Sequence, residues 1–472
     1  MTIIAGCLGL VACGSLESNA LRSHPNRQQV IDPLSGAGNL AMTTFRATAV
    51  ATVRQPLTTT KTGISLAWLR SRELFAGNVP TSIEPKTPLS ESPGSDGFER
   101  FLDSQGLPHA RLGKVRCLID GPAFFCELDD LIISAERSID VQMYIFDNDD
   151  IARRYADRLR QASSRVNVRT MFDDLGSNLA ALAAPESLSA GKFIPVNDIG
   201  KYLKKDSKIQ VRRTLNPWLV SDHTKLVVVD DKVALLGGMN IGREYFSEWH
   251  DMMVRIDGPV VQDLVWEFNR TWRKSGPWGD LILLLPNPHP PVPPQPTGTG
   301  GIRVLRTDAG NGKHEVFQAC IAAIRSSRER VWIETPYFGS DEIIRAVAAA
   351  ARRGVDVRVV LPLHNDSKLM AINHLQAAQE LIEAGATVFS YPEMTHIKVM
   401  LCDNWVTLGS ANLDTLSMRI NRELNIAFRD PVAVRQVERE VFLRDFRKSR
   451  RIRLEETHSA IAPLVESIAD QL

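Results

Sequence analysis

Two stretches of the chain place the same residue types at the same spacing. DHTKLVVVDDKVALLGGMN begins at Asp222, and THIKVMLCDNWVTLGSAN begins at Thr395. Each opens His-x-Lys, runs through apolar residues to an Asp, turns, and returns to a Gly-containing stretch that ends in Asn. The candidates are His223, Lys225, Asp230 and Asn240 in the first copy, and His396, Lys398, Asp403 and Asn412 in the second. These groups suit a phosphodiester. One neutral imidazole attacks phosphorus and becomes a phosphohistidine. A second, protonated imidazole donates to the leaving alkoxide and then deprotonates the acceptor, an alcohol or water. Lys225 and Lys398, with Asn240 and Asn412, neutralise and hydrogen-bond the non-bridging oxygens as charge builds. The two histidines must hold opposite protonation states, so one copy supplies half a site. This chemistry needs no cofactor and no metal, and no His/Cys/carboxylate cluster in the sequence offers a metal its ligands.

Each imidazole also needs a partner that fixes its tautomer. Asp251 follows His223 by 28 residues and Glu423 follows His396 by 27, so each carboxylate is the candidate for the histidine of its own repeat. The motif aspartates differ. Each lies seven residues beyond its histidine, roughly 23 Å along an extended strand at ~3.3 Å per residue. As motif members Asp230 and Asp403 stand with the catalytic candidates. A straight strand nevertheless keeps them off the reacting phosphorus, and their expected work is to fix the turn or to pair with the other half.

The elements follow from the same stretches. On a strand, alternation puts His223 and Lys225 on one face, and likewise His396 and Lys398. LVVV and VMLC read as strands buried on both sides. DDK and DN carry turn chemistry, and VALLGG and WVTLGS read as returning strands. Hairpins turning near 231 and 404 bring Asn240 back opposite His223 and Asn412 opposite His396. Strands alternate with helices elsewhere in both halves. The fold class is α/β, with two homologous α-β-α halves about a pseudo-twofold axis and one active site at their interface.

The expected boundaries are a signal-like segment and poorly ordered extension at 1–110, a first half at 111–285, and a second half at 302–454, followed by a tail at 455–472. The halves are joined by LPNPHPPVPPQPTGTGG, a semi-rigid proline-rich linker at 286–301. LVAC at Leu10–Cys13 resembles a bacterial lipobox with Cys13 as the lipidated residue, although the basic residues that usually precede a signal core are missing. That reading makes the protein membrane-associated, as a lipoprotein facing the periplasm, with no transmembrane helix. A formal net charge of +1 over 472 residues gives no general pull toward nucleic acid, and none is expected as a partner. Six scattered cysteines form no disulfide framework.

The paired stretches resemble the two HKD motifs of the phospholipase D superfamily, and the likeness runs from about 111 to 454. Within it, GGMNIGREYFSEWHDMMVRIDGPVV, ETPYFGSDEIIRAVAAAARRGVDVRVVLP and GSANLD with Asn421 and Glu423 are similar to segments of bacterial cardiolipin synthases. The resemblance implies a phosphohistidine intermediate and phosphatidyl transfer onto a glycerol-containing acceptor, from an anionic, phosphatidylglycerol-like lipid at a membrane surface. Hydrolysis of phospholipid or nucleic acid by the same chemistry is the alternative, and a non-catalytic lipid-binding scaffold is a second. Leu416 stands where that family usually has Arg. The paired transmembrane helices of some members are absent, and RDFRKSRRIR, with basic residues from 444 to 453, is a candidate for holding an anionic lipid surface.

Overall fold

The computed structural model describes residues 45, 47–75, 91–180, 195–285, 298–363, 365 and 368–457. Cys13, most of the proline-rich linker (286–297) and residues 458–472 lie outside the described residues.

Two mixed sheets share one plan. The short strand β1 (Arg111–Leu112) belongs to the second sheet. The first sheet comprises β2 (Lys114–Ile119), β3 (Ser138–Met143), β4 (Asn167–Asp173), β5 (Gln210–Thr214), β6 (Leu226–Val229), β7 (Val233–Gly237) and β8 (Met252–Asp257). The second comprises β9 (Gly301–Asp308), β10 (Lys313–His314), β11 (Arg330–Glu334), β12 (Asp356–Pro362), β13 (Thr387–Tyr391), β14 (Val399–Cys402), β15 (Trp405–Gly409), β16 (Arg422–Phe428) and β17 (Arg450–Arg451). The spatial order β2-β8-β7-β6-β3-β4-β5 repeats as β9-β16-β15-β14-β11-β12-β13. Every equivalent pair also runs in the same direction, with β3/β4/β5 and β11/β12/β13 parallel and the rest antiparallel. The duplication read in the motifs therefore extends to the whole half.

The motif strands show why both halves close on each other. Along β6, Leu226 and Val228 face the layer between the sheets, while Val227 and Val229 face the outer helices of their own half. Along β14, Val399 and Leu401 face the shared layer, and Met400 and Cys402 face outward. A strand buried on both faces needs apolar residues at every position, which LVVV and VMLC supply. The shared layer also takes Leu264, Phe268 and Trp272 of the helix Val261–Lys274.

Two expectations about the N-terminal region are corrected. Residues 1–110 were expected to be poorly ordered, but they include the helices α1 (Pro56–Phe75) and α2 (Asp96–Ser104). Phe98, Leu102 and Leu107 are buried in the core of the second half, and Phe98 meets Trp405 edge-on at 5.8 Å. Arg303, 1 % exposed, is bonded to Glu99 and Asp103 of α2 at 2.6 and 2.8 Å. A buried guanidinium requires such carboxylates, so α2 completes the second half rather than preceding it. Likewise β1, placed in the first half by the boundary at 111, pairs with β9 of the second sheet.

Candidate active site

The two motif histidines stand where the sheets meet. Just before β6, His223 N–H donates to Arg422 O at 2.9 Å, and Arg422 N–H donates to Ser221 O at 2.9 Å. Just before β14, His396 N–H donates to His250 O at 2.6 Å, and His250 N–H donates to Met394 O at 3.0 Å. These are parallel bridges between halves, Asp222 with Arg422 and Thr395 with His250. Each sets the residue before a histidine against the residue before a carboxylate. Glu423 therefore meets His223, with Oε2 3.0 Å from Nδ1, and Asp251 meets His396, with Oδ2 2.6 Å from Nδ1. This corrects the expected pairing within each repeat. The offsets of 28 and 27 residues fix only where a carboxylate sits at its sheet end. The docking of the sheets decides which histidine it reaches.

The neighbours of the two carboxylates differ. Ser410 Oγ donates to Glu423 Oε2 at 2.6 Å. The equivalent Gly238 leaves the space a Cβ would fill, only 2.3 Å from Asp251 Oδ1, and Asp251 instead accepts from Met252 N–H at 2.7 Å. Burial raises the Glu423 carboxyl to about 8, against the pull of Lys225 and Ser410. Burial also raises Asp251 to about 7, against Lys398 and the Met252 N–H.

Lys225 Nζ donates to His223 O at 2.7 Å, and Lys398 Nζ donates to His396 O at 2.6 Å while lying 3.0 Å from His396 Nδ1. Both lysine side chains are buried, and burial holds Lys225 well below the ordinary lysine value, against the pull of Glu423. Burial and then the two lysine charges hold His223 well below the ordinary imidazole value, and burial, Lys398 and Lys225 do the same for His396. Burial and the lysine charges thus favour two neutral imidazoles under a positive potential. An entering phosphodiester anion offsets that potential, which allows one imidazole to take up a proton.

Asn240 and Asn412 lie at the returning ends of the hairpins and are 1 % and 5 % exposed. Asn240 Oδ1 accepts from Ile145 N–H at 2.9 Å, which leaves its NH₂ as the remaining donor. Asp230 and Asp403 lie at the far ends of β6 and β14, and the structure does not bring them to the histidines. Asp230 accepts from the N–H groups of Glu136, Arg137 and Ser138 at 2.7–2.9 Å. Asp403 accepts from Arg328, Glu329 and Arg330 at 2.9–3.3 Å. Both sit at positive φ, 56° and 49°. Their place among the catalytic candidates is corrected: each ties the turn to the strand entrance of its own half, and neither pairs across the interface.

Some residues at the site were not read from the sequence. Tyr144, at the end of β3, meets His223 edge-on at 4.7 Å and lies 5.0 Å from Lys225 Nζ. Trp249 and Tyr245 pack on His396 at 5.0 and 5.6 Å. Their position at the carboxyl end of a sheet was the available signal. The expectation that no His/carboxylate cluster forms is also corrected. His250, Glu334 and Asp445, all buried, bring one ligand atom each within 4.8 Å of one another. His250 Nδ1 faces Asp120 at 2.5 Å and Nε2 faces Asp445 at 3.2 Å. With a carboxylate on each nitrogen the ring is charged: although burial opposes the charge, Asp120 and Asp445 raise it to about 10. We read this as an ion-paired anchor for the His250–Thr395 bridge.

The family model described as "Cardiolipin synthase, PLD-like domain" matches residues 128–272 and 320–445, which takes in both motifs and most strands of each sheet. The chain belongs to the phospholipase D-like cardiolipin synthase family. It is 31 % identical to cardiolipin synthase A of Pseudomonas fluorescens Pf-5 over 375 residues, covering 74 % of this chain and 72 % of that protein. It is also 31 % identical to a probable cardiolipin synthase of Bacillus subtilis over 359 residues, covering 73 % and 69 %. The fold matches the crystal structure of phosphatidylserine synthase from Haemophilus influenzae with a TM-score of 0.62 at 15 % identity, covering 79 % of this chain and 97 % of that one. This family member is a phospholipase D-type phosphatidyltransferase. Among the described residues, no helix is long and apolar enough to cross a membrane.

Proposed function

We propose that the enzyme moves a phosphatidyl group from one phospholipid, of the phosphatidylglycerol kind, to the hydroxyl of a second glycerol-containing lipid, through a phosphohistidine on His223. The observation that carries the reading is the reciprocal pairing of each motif histidine with a carboxylate of the other half. With Glu423 ionised, the form that the Lys225 charge favours, Nδ1–H donates to it and the Nε2 lone pair of neutral His223 forms the bond to phosphorus. The P–O bond to the leaving alkoxide breaks, and that oxygen takes the proton from Nε2 of His396. The acceptor hydroxyl then gives its proton to His396, its oxygen attacks phosphorus, and the N–P bond breaks. Lys225 and Lys398, one per half, hold the non-bridging oxygens, with the amides of Asn240 and Asn412 beside them. The assignment of attack to His223 is supported by its exposure, 12 % for the side chain against 6 % for His396.

The lipobox-like Leu10–Cys13 supports a location at the periplasmic membrane surface. The test is product analysis by mass spectrometry after supplying phosphatidylglycerol with free glycerol and water as competing acceptors. Cardiolipin with released glycerol is expected. Phosphatidic acid alone would make the enzyme a hydrolase. Cleavage of single-stranded DNA without lipid turnover would overturn the reading.

A further inference from the structure

The N-terminal helix is amphipathic in the wrong sense for a helix that only packs on protein. Residues 47–54 are helical and continue into α1, with Gln55 N–H donating to Ala51 O at 2.6 Å and Thr59 N–H to Gln55 O at 2.9 Å. The buried face presents Ala51, Gln55, Thr59 and Thr62, small or polar residues. The outward face presents Val50, Val53, Leu57, Ile64 and Trp68, which are 42, 83, 38, 64 and 59 % exposed. At 3.6 residues per turn these five fall within an arc of about 60°. Arg54 and Lys61, both exposed, flank that stripe.

A second apolar element adjoins the first. Trp278, Leu281, Leu284 and Leu285 are exposed by 73, 48, 73 and 58 % around the short helix Gly279–Leu284. The two elements are fastened together: Gln55 Nε2 donates to Lys274 O at 3.1 Å, Thr58 N–H donates to Asp280, and Gly279 packs directly on Arg54 O. Exposed side chains this large, gathered on two joined elements with basic residues beside them, form the surface of an interfacial helix.

The patch also sits beside the active site. Trp218 Nε1 donates to Thr59 O at 2.9 Å, and Trp218 N–H donates to Thr48 Oγ1 at 3.0 Å. Trp218 and Leu219 are held at φ 57° and 62°, four or five residues before His223. Leu66 packs with Val220, Leu416 and Ile420. The basic segment at 444–453 is otherwise engaged: Lys448 pairs with Glu393 at 2.7 Å, Arg450 with Glu456 at 2.7 Å, and Arg450–Arg451 form an edge strand.

We propose that the outward face of residues 47–68, with Trp278, Leu281, Leu284 and Leu285, is the surface by which this enzyme docks on an anionic phospholipid bilayer, setting the mouth of the active site against the headgroups. The occupant is a lipid surface because the flanking charges are basic and because the proposed substrate, on whose identity this inference rests, lies in a bilayer.

The test is flotation of the full chain with vesicles of phosphatidylglycerol mixed into phosphatidylcholine, comparing wild type with V53D/I64D and, separately, with W278S. These positions are exposed, and unchanged melting checks that the variants fold. Each variant should lose vesicle binding at least ten-fold and lose activity on vesicles in proportion. Turnover of a short-chain, monomeric phosphatidylglycerol should be unchanged. Binding equal to wild type in both variants would overturn the proposal, as would light scattering that shows the patch buried between two copies of the chain. If no lipid is turned over by wild type, the proposed function fails while the flotation result still decides the docking surface.

Discussion

Glu423, on the second sheet, holds the imidazole of His223 on the first through Nδ1 at 3.0 Å, and Asp251 of the first sheet holds His396 of the second at 2.6 Å. Each half therefore supplies the nucleophile or acid of one histidine and the tautomer of the other. Neither repeat holds a complete histidine–carboxylate pair by itself. Activity then depends on the docking of the halves, which the Asp222–Arg422 and Thr395–His250 bridges set.

Glu423→Gln should expose this crossing. An amide NH₂ facing Nδ1 favours the tautomer with the proton on Nε2, which removes the lone pair needed for attack. Steady turnover should fall on the order of 10²- to 10⁴-fold, with the burst of phosphoenzyme lost. Asp251→Asn should slow the proton steps but leave a burst with a substrate whose leaving group needs no acid. Rapid-quench trapping of phosphohistidine distinguishes the two. The opposite assignment of bursts would mean that His396 is the nucleophile.

The motif aspartate and lysine should separate stability from activity. Asp230 accepts three backbone N–H bonds, so Asp230→Asn should cost ~1–3 kcal/mol of stability and leave turnover per folded molecule near normal. Burial pushes the Asp230 carboxyl up, but the N–H groups of Glu136, Ser138 and Arg137 outweigh it and hold it below 3.8. Its contribution is therefore complete above that unfolded-state value and disappears as pH falls through the lower folded one. Lys225→Met should stay folded, yet lose activity at least about 10²-fold. Melting curves beside activity per folded molecule give the comparison. A stable but inactive Asp230→Asn would place that carboxylate in the chemistry.

The parts of this site that were legible in the sequence are those set by local periodicity. His223 and Lys225 share a face because strands alternate, and the far placement of Asp230 follows from strand length. The His223–Glu423 crossing was not legible, because it depends on how two sheets dock and no spacing within one repeat reports that. Helix α2 was missed although Ser95 caps it and Phe98, Phe101 and Leu102 recur at helical spacing, because it is only nine residues long and its purpose, to neutralise Arg303, appears only when the second sheet is closed.

Activity should survive EDTA. The proposed steps use only the chain's imidazoles and ammonium groups, and the His250–Glu334–Asp445 cluster has its histidine engaged by carboxylates on both nitrogens. Turnover within about two-fold of the untreated enzyme is expected. A loss restored by one divalent ion alone would place a metal in that cluster and make it part of the reaction.

The same cluster predicts a pH dependence of stability with a definite sign. His250 is 6 % exposed, and its folded value is raised to about 10 from 6.5 because Asp120 and Asp445 outweigh the cost of its burial. The groups facing it are Asp120, Asp445 and Glu334, with Arg444 beside Asp120 and Tyr391 stacked on the ring at 5.1 Å. Below about 6.5 the ring is protonated both folded and unfolded, and its stabilisation is fully present. As pH rises toward 10 the unfolded chain has lost the proton and the folded chain keeps it, so stability falls, by at most about 1.4 kcal/mol per pH unit for one proton. His250→Gln removes this slope and leaves buried carboxylates without their cation, so it should be less stable at pH 6 by ~3–5 kcal/mol. It should also lose activity, because the His250–Thr395 bridge positions His396 against Asp251. Urea midpoints at pH 6, 8 and 9.5 for wild type and variant decide it. Parallel curves for the two proteins would mean that His250 stays neutral and that the bridge is held by something else.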